Sequence, residues 1–341
     1  MVRSYLQRGT VMKSMTKFSV SEDVIKKLFT EKNLGVVTKI VPLTAGEFNS
    51  AYSVTANGRE CVLKIAPRQN NEHILTYETD LMRQEVAFYQ ILREKTDVRV
   101  PEIYCADFSE SLIPAHWFVM EKLSGVPLTD ANLSGSEKAR VYEEIGAILA
   151  QLHTVTGTAF GYVQNGLCEN WYLAVRKMIE NLLADCKKAG KRCKLGERLL
   201  SATRRHKTLL ESVPCTYVHF DVWEGNVFYR ANENGGFSLA LIDTERGLWG
   251  DRLGDFCSLD FSKPLSGKNA LLKGYNRVSS VPIHGTREEE IRYRVLCGYL
   301  GLIMYTERFY RYKRTQKKYY VNAVGGKKML SDALRVLETD E

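Results

Sequence analysis

The stretch Val218-His219-Phe220-Asp221-Val222-Trp223-Glu224-Gly225-Asn226-Val227-Phe228, followed by the apolar run Leu241-Ile242-Asp243, most narrows the folds open to this chain. Three strand-like runs (216–220, 226–229 and 237–243) are joined by a loop and a turn. The loop carries a carboxylate at Asp221, an amide five residues later at Asn226 and an imidazole two residues earlier at His219. A second carboxylate, Asp243, closes the third run. A lone aspartate would be read as a turn or cap residue. The composite has the logic of phosphoryl transfer instead: Asp221 orients or deprotonates an attacking hydroxyl, Asn226 and Asp243 offer oxygens to Mg²⁺, and His219 braces the loop from inside.

Around this centre the pattern splits. Residues 1–17 are polar and basic and read as a flexible tail. Ser21 caps a short amphipathic helix carrying Val24, Ile25, Leu28 and Phe29. The strands that follow are expected at 35–43, 49–55, 60–66, 102–108 and 116–123, with a hairpin turn at Ala56-Asn57-Gly58 and one helix over 77–92. From Gly125 the chain turns helical, with a core-facing stripe over 134–153, further helices around 171–186 and 195–210, and helix again after Asp255. The division expected is a tail (1–17), a β-rich lobe with one helix (18–122) and a helical lobe (123–341), an α+β arrangement.

Composition sets the outer limits. Hydrophobic residues make up 44% and charged residues 26% of 341, a globular balance that excludes disorder, collagen and coiled coil. No apolar run reaches the roughly 18–20 residues of a bilayer span. Eight scattered cysteines form no CxxC pair and point to reduced thiols, so a cytoplasmic protein with no membrane partner is expected. The net charge of +8 is concentrated in 176–207, with 11 Lys/Arg against 3 Asp/Glu, and in 291–341, with 11 against 5. Acidic and apolar residues interrupt both segments, so they read as solvated helix faces and nucleic acid is not expected as a partner.

With these residues in place, the chain resembles the aminoglycoside phosphotransferase and choline kinase family, small-molecule relatives of the protein kinases with the same two-lobed fold. The resemblance runs from about Val37 to Tyr275. The family loop usually reads HGDxxxxN and here has Phe220 for the glycine. Ile242-Asp243-Thr244-Glu245-Arg246, with Gly250-Asp251 and Asp255-Phe256 after it, is similar to the family's metal-binding segment. The resemblance implies ATP or GTP as co-substrate with Mg²⁺ held by Asn226 and Asp243. It further implies Lys64 of Val62-Leu63-Lys64-Ile65 on the nucleotide phosphates with Glu85 as its partner. The segment Phe48-Asn49-Ser50 is expected to bring backbone N–H groups to the phosphates, and a hinge around Glu121 to Leu123 to read the base. Asp251 and Asp255 fix the loop, and Leu149-Ala150-Gln151-Leu152-His153 and Gly274-Tyr275 look like packing motifs.

The activity this implies is transfer of a γ-phosphate to a hydroxyl of a small molecule, with an aminoglycoside-like acceptor as the nearest label. A sugar, ketosamine or choline-type acceptor is the alternative, because Asp221-Val222-Trp223-Glu224-Gly225-Asn226 also resembles the DLWxGN loop of ketosamine kinases. A nucleotide-binding protein without kinase activity is a third reading. A protein kinase is disfavoured, since D-F-G and A-P-E are missing from the expected stretch. The acceptor is expected on segments 155–212 and 265–341. These are net basic but keep Glu169, Glu180, Glu288, Glu289 and Glu290, and Glu245 is singled out as an acceptor contact.

Overall fold

The computed structural model describes residues 15–259, 261 and 263–339. They divide into two compact units, one of the residues up to Ile74 with Ile103–Lys122, the other of Leu75–Glu102 with the residues from Leu123 onward. Most of the expected tail falls outside the described residues. Its last residues do not behave as a tail, because Thr16 is buried and its hydroxyl donates to the carbonyls of Glu47 (3.0 Å) and Phe48 (3.1 Å).

The first unit holds helix α1 (Glu22–Glu31) and strands β1 (Val37–Leu43), β2 (Ser50–Ala56), β3 (Arg59–Ile65), β4 (Ile103–Asp107) and β5 (Trp117–Glu121), in sheet order β1-β2-β3-β5-β4 with antiparallel neighbours. Ser21 caps α1 through the N–H of Val24. The β2–β3 turn places Asn57 and Gly58 at φ 48° and 78°, the left-handed pair that a two-residue hairpin requires. Strand alternation then sorts the faces. Tyr52, Val54, Leu63, Ile65, Trp117 and Val119 pack with Ile25, Leu28 and Phe29 of α1 into one core. Each fully buried side chain of that size contributes about 1.5–3 kcal/mol. Lys64, between Leu63 and Ile65, necessarily turns to the other face.

The second unit begins with a helix that the sequence places in the β-rich lobe. A 3₁₀ turn (Thr76–Glu78) precedes α2 (Leu81–Lys95); Asp80, at φ 53°, separates them where one continuous helix is expected. Beyond Leu123 lie β6 (Val126–Pro127), α3 (Gly135–Leu152), α4 (Trp171–Lys188), α5 (Lys194–Arg205), α6 (Lys207–Glu211), β7 (Thr216–Val218), β8 (Val227–Ala231), β9 (Phe237–Leu241) and β10 (Leu248–Gly250). Helices α7 (Asn269–Val278), α8 (Arg287–Arg311) and α9 (Lys317–Leu337) complete it. Strands β6, β8 and β9 form one small sheet and β7 pairs with β10. Helices α3 and α7 touch backbone to backbone: a Cβ on Gly274 would stand 1.7 Å from the Glu143 carbonyl oxygen, so only glycine permits the crossing.

Candidate active site

In the first unit Lys64 lies at the centre of the sheet, opposite Ala51 on β2 and Phe118 on β5. It is 8% exposed, and its ammonium stands 5.8 Å from the Phe118 ring centre. The loop before β2 brings Phe48 and Asn49, both buried, to the start of the strand, where buried Ser50 pairs with Ile65 of β3. Glu121 is the last residue of β5, and Leu123 is where the chain re-enters the second unit.

In the second unit the antiparallel register of β8 and β9 sets Val227 opposite Leu241. Asn226 and Asp243 therefore stand together at one end of the hairpin, and the Ile242 N–H donates to the Asn226 carbonyl at 3.0 Å. The loop from Asp221 to Asn226 is a tight turn in which the Trp223 N–H donates to the Asp221 carbonyl and the Asn226 N–H to that of Trp223. The Trp223 ring folds over Gly225, where any Cβ would meet it at 2.3 Å, so the glycine lets the turn close. Closure carries the Asn226 amide to Asp221: its Nδ2 donates to the backbone carbonyl at 3.0 Å and to Oδ2 at 3.2 Å. That orientation leaves the amide oxygen for a cation.

Asp255 holds the other end of the loop. It is fully buried and accepts the N–H of His219 (3.2 Å) and Phe220 (2.6 Å), while His153 Nε2 lies 3.0 Å from its Oδ2. His153 Nδ1 contacts the Tyr275 hydroxyl at 3.1 Å, and Arg252 donates to that hydroxyl at 3.1 Å. His153 and Tyr275, read from sequence as packing, thus support the loop through a carboxylate. The clamp has a purpose, because Phe220 sits at φ 61°, a left-handed conformation costing a residue other than glycine roughly 1–2 kcal/mol. Its ring is fully buried against Tyr299, centres 5.7 Å apart. Asp251, also fully buried, caps the turn that follows through the Leu253 N–H at 3.1 Å.

His219 is fully buried with Nε2 3.1 Å from the Ile242 carbonyl, which makes Nε2 the protonated nitrogen. Burial lowers its pKa, so the imidazole braces the loop in the neutral form. Asp221 is pushed up to about 7, first by burial; the Arg246 guanidinium pulls it back, Asp243 and Glu307 push it further up, and the Asn226 hydrogen bond lowers it. A carboxylate there is poised to take a proton near neutral pH.

Asp243, at φ 66°, is held from α2, since its N–H donates to the Tyr89 hydroxyl at 2.7 Å and the next residue, Thr244, donates to the Glu85 carbonyl at 3.1 Å. The carboxylates of Glu85, Asp243 and Glu245 converge within 4.8 Å of one another. Glu85, expected beside Lys64, and Glu245, expected as an acceptor contact, are thereby both brought to the Asp243 carboxylate. Hard oxygens from carboxylates and an amide are the donor set that Mg²⁺ prefers. Sequence reasoning missed the ion-pair network of Arg246, Glu307, Arg311 and Glu78, of which Arg246 and Glu307 act on the Asp221 charge, because residues 61 and 233 positions apart carry no local signal of their pairing. Glu180, Glu289 and Glu290, considered as acceptor contacts, are engaged elsewhere. Glu180 lies 3.4 Å from Arg176 and from Arg204, Glu289 caps α8, and Glu290 takes the Leu265 N–H at 2.8 Å and Arg294 at 2.6 Å.

A sheet unit with a buried lysine and a helical unit with an H-x-D-x4-N loop and a converging carboxylate define a small-molecule kinase of α+β fold. The chain belongs to the phosphotransferase enzyme family (APH), whose model matches residues 39–271. Among solved structures it is similar to the aminoglycoside phosphotransferase APH(4)-Ia in a ternary complex with AMP-PNP and hygromycin B, at 18% identity and TM-score 0.63 over 93% of this chain and 99% of that one. It is similar to APH(2")-IIa in a streptomycin–ATP ternary complex, at 15% identity and TM-score 0.60 over 94% and 99%. A Haemophilus somnus 129PT protein described as a fructosamine-3-kinase gives 16% identity and TM-score 0.60 over 89% and 96%. No curated protein matches the chain. Among the described residues no helix is long and apolar enough to cross a membrane.

Proposed function

We propose that this protein transfers the γ-phosphate of ATP or GTP to a hydroxyl of a small molecule, with Asp221 as the base that orients and deprotonates it. The observation that carries this reading is the half-buried Asp221 carboxylate, raised to about 7, tied to Asn226 and within electrostatic reach of Asp243. Asn226 Oδ1 and Asp243, with Glu85 and Glu245 beside it, would hold Mg²⁺, which neutralises charge on the nucleotide phosphates when bound. Lys64, on the sheet face opposite the core packed on α1, would meet the phosphates, as would the backbone around Phe48, Asn49 and Ser50. Glu121 to Leu123 would read the base. The acceptor O–H gives its proton to Asp221 as its oxygen attacks the γ-phosphorus in line, and ADP or GDP leaves. No covalent phosphoenzyme is needed.

The test is Mg²⁺-dependent release of ADP and GDP across aminoglycosides, ketosamines, choline and simple sugars, with Asp243→Ala as the blank. The expected outcome is one acceptor class that raises turnover well above hydrolysis, with Asp221→Ala abolishing it while nucleotide affinity stays within about twofold. Full acceptor-dependent activity in Asp221→Ala would overturn the role given to that carboxylate.

A further inference from the structure

The two basic segments of the sequence differ once folded. In the first, between Arg176 and Lys207, acidic neighbours answer the charge. Arg176 and Arg204 lie 3.4 Å from Glu180, Arg192 donates twice to Glu197 at 2.8 Å, and Arg198 pairs with Glu338. In the second, the stretch from Lys313 to Lys328 carries Lys313, Arg314, Lys317, Lys318, Lys327 and Lys328 and no Asp or Glu. Lys328 reaches Asp332 at 2.5 Å one turn further on, but that pair lies at the surface and is screened by water.

This charge frames an apolar patch. Helix α9 packs on α8 through a face that includes Tyr319, Ala323, Gly326 and Met329, so closely that a Cβ on Gly326 would stand 2.6 Å from the Gly301 carbonyl oxygen. Helical spacing sends Lys317, Tyr320, Val321, Val324, Lys327 and Lys328 outward, and all six are exposed. Tyr320, Val321 and Val324 are 56%, 46% and 69% exposed. Single apolar side chains in water are ordinary, whereas three adjoining ones on one helix face mark a contact surface. Lysines close both ends of the stripe, which runs about 16 Å from Lys317 to Lys328.

The occupant must be anionic and must also take up aliphatic side chains. A second copy of this chain would set lysine against lysine across a twofold axis. A nucleic acid would meet the charge, but Val321 and Val324 offer its bases no ring to stack on. A surface of anionic lipid satisfies both requirements. The valines enter below the headgroups, the tyrosine ring lies among them, and the lysine stems carry their ammonium groups to the phosphates. We propose that the outer face of α9 docks on membranes rich in anionic lipid. A helix lying in the interface needs no bilayer-long apolar run, so the lack of a spanning helix among the described residues is no obstacle. Docking of this kind is independent of phosphoryl transfer, and vesicle binding tests it without turnover.

The experiment is co-sedimentation of the full chain with vesicles of phosphatidylcholine alone or with about one-third phosphatidylglycerol, thermal melts confirming that each variant is folded. Wild type should bind the anionic vesicles and not the neutral ones, and raising salt from about 0.05 M to about 0.5 M should release it. Lys327→Glu with Lys328→Glu should weaken binding more than about tenfold, at roughly fivefold for each lysine lost. Val324→Gln, which leaves the net charge unchanged, should weaken it about threefold to tenfold. Lys26→Glu with Lys27→Glu makes the same change in net charge on α1 and should leave binding within about twofold. Failure to bind anionic vesicles would overturn the proposal. So would equal losses from the α1 and α9 charge changes, since net charge alone would then account for binding. Retention on poly(U) that Lys327→Glu with Lys328→Glu abolishes and Val324→Gln spares would overturn it in favour of a nucleic-acid site. A dimer in sedimentation velocity that Val324→Gln dissolves would overturn it in favour of a contact between copies.

Discussion

Replacing Asp255 by asparagine tests whether the catalytic loop is held by a single buried carboxylate. Three donors converge on it: the N–H groups of His219 and Phe220 and the His153 imidazole, at 3.2, 2.6 and 3.0 Å, with no solvent to replace them. Asparagine keeps one acceptor oxygen, which the short Phe220 bond should retain, and turns an NH₂ toward the remaining donors. His153 can recover one bond by changing tautomer and accepting that NH₂, but the His219 N–H has no such remedy. One orphaned buried donor costs about 1–3 kcal/mol, so Asp255→Asn should lose that much in urea unfolding. Alanine orphans all three donors and should lose about 3–9 kcal/mol or fail to fold. Phe220 also keeps its left-handed conformation against a cost of about 1–2 kcal/mol, and a weakened clamp lets the loop relax. A displacement near 1 Å at a reacting group lowers turnover roughly 100-fold. Acceptor-dependent ADP release should therefore fall by about that factor in Asp255→Asn, while nucleotide affinity, measured by titration, stays within about twofold. Wild-type turnover together with wild-type stability would refute the argument, and so would a loss confined to nucleotide binding.

Four further outcomes are expected. Tyr89→Phe removes the acceptor of the Asp243 N–H and should raise the Mg²⁺ concentration needed for half-maximal activity several-fold, at a stability cost of about 1–3 kcal/mol; an unchanged Mg²⁺ titration would count against α2 as the support of Asp243. Gly274→Ala puts a methyl against the Glu143 backbone, so α3 and α7 must part and the protein should lose about 1–3 kcal/mol or more, read as a drop in melting temperature. Phe220→Gly relieves backbone strain of about 1–2 kcal/mol but empties a buried ring site worth about 3–5 kcal/mol, so urea unfolding should show a net loss. Burial alone would raise the pKa of Asp107, but the Lys32 ammonium at 2.7 Å and the Ser109 hydroxyl and N–H hold it down to about 2. A depressed carboxylate stabilises the fold above its ordinary pKa and loses that contribution as pH falls through the folded value. The stability gap between wild type and Asp107→Asn, about 1 kcal/mol at pH 7 after screening by the partly exposed lysine, should hold down to about pH 4 and shrink toward pH 2.

What could be read from the sequence follows from range. The Ser21 cap, the Asn57-Gly58 turn and the alternation that turns Lys64 away from Leu63 and Ile65 are properties of a few consecutive residues, and the structure reproduces each. The loop from His219 to Asn226 was legible for the same reason, since its turn, its glycine and its amide lie within one short segment. The helix over 77–92 was placed by periodicity, which reports a buried face but not what buries it. Its hydrogen bonds run to Asp243 and Thr244, more than 150 residues away in sequence, and it groups with the second unit. The pairing of Arg246 with Glu307 was invisible by the same rule, because each alone is an ordinary charged residue, one on the turn after β9 and one on α8.

Phe220 and Asp243 both hold left-handed backbone, at φ 61° and 66°, and each stands at the base of a loop that presents a candidate functional carboxylate. Backbone strain of this kind persists only where neighbours over-determine it. For Phe220 the neighbours are Asp255, with His153 and Tyr275 behind it, drawn from α3, α7 and the turn after β10. For Asp243 they are Tyr89 and Glu85, one turn apart on α2, so a single helix face fixes both the backbone of Asp243 and the carboxylate beside it. The two carboxylates are thus aimed by separate supports that share no side chain. Damage to one clamp should misplace its own carboxylate and leave the other in position. This is why loss of Asp255 is expected in turnover, and loss of the Tyr89 hydroxyl in the demand for Mg²⁺.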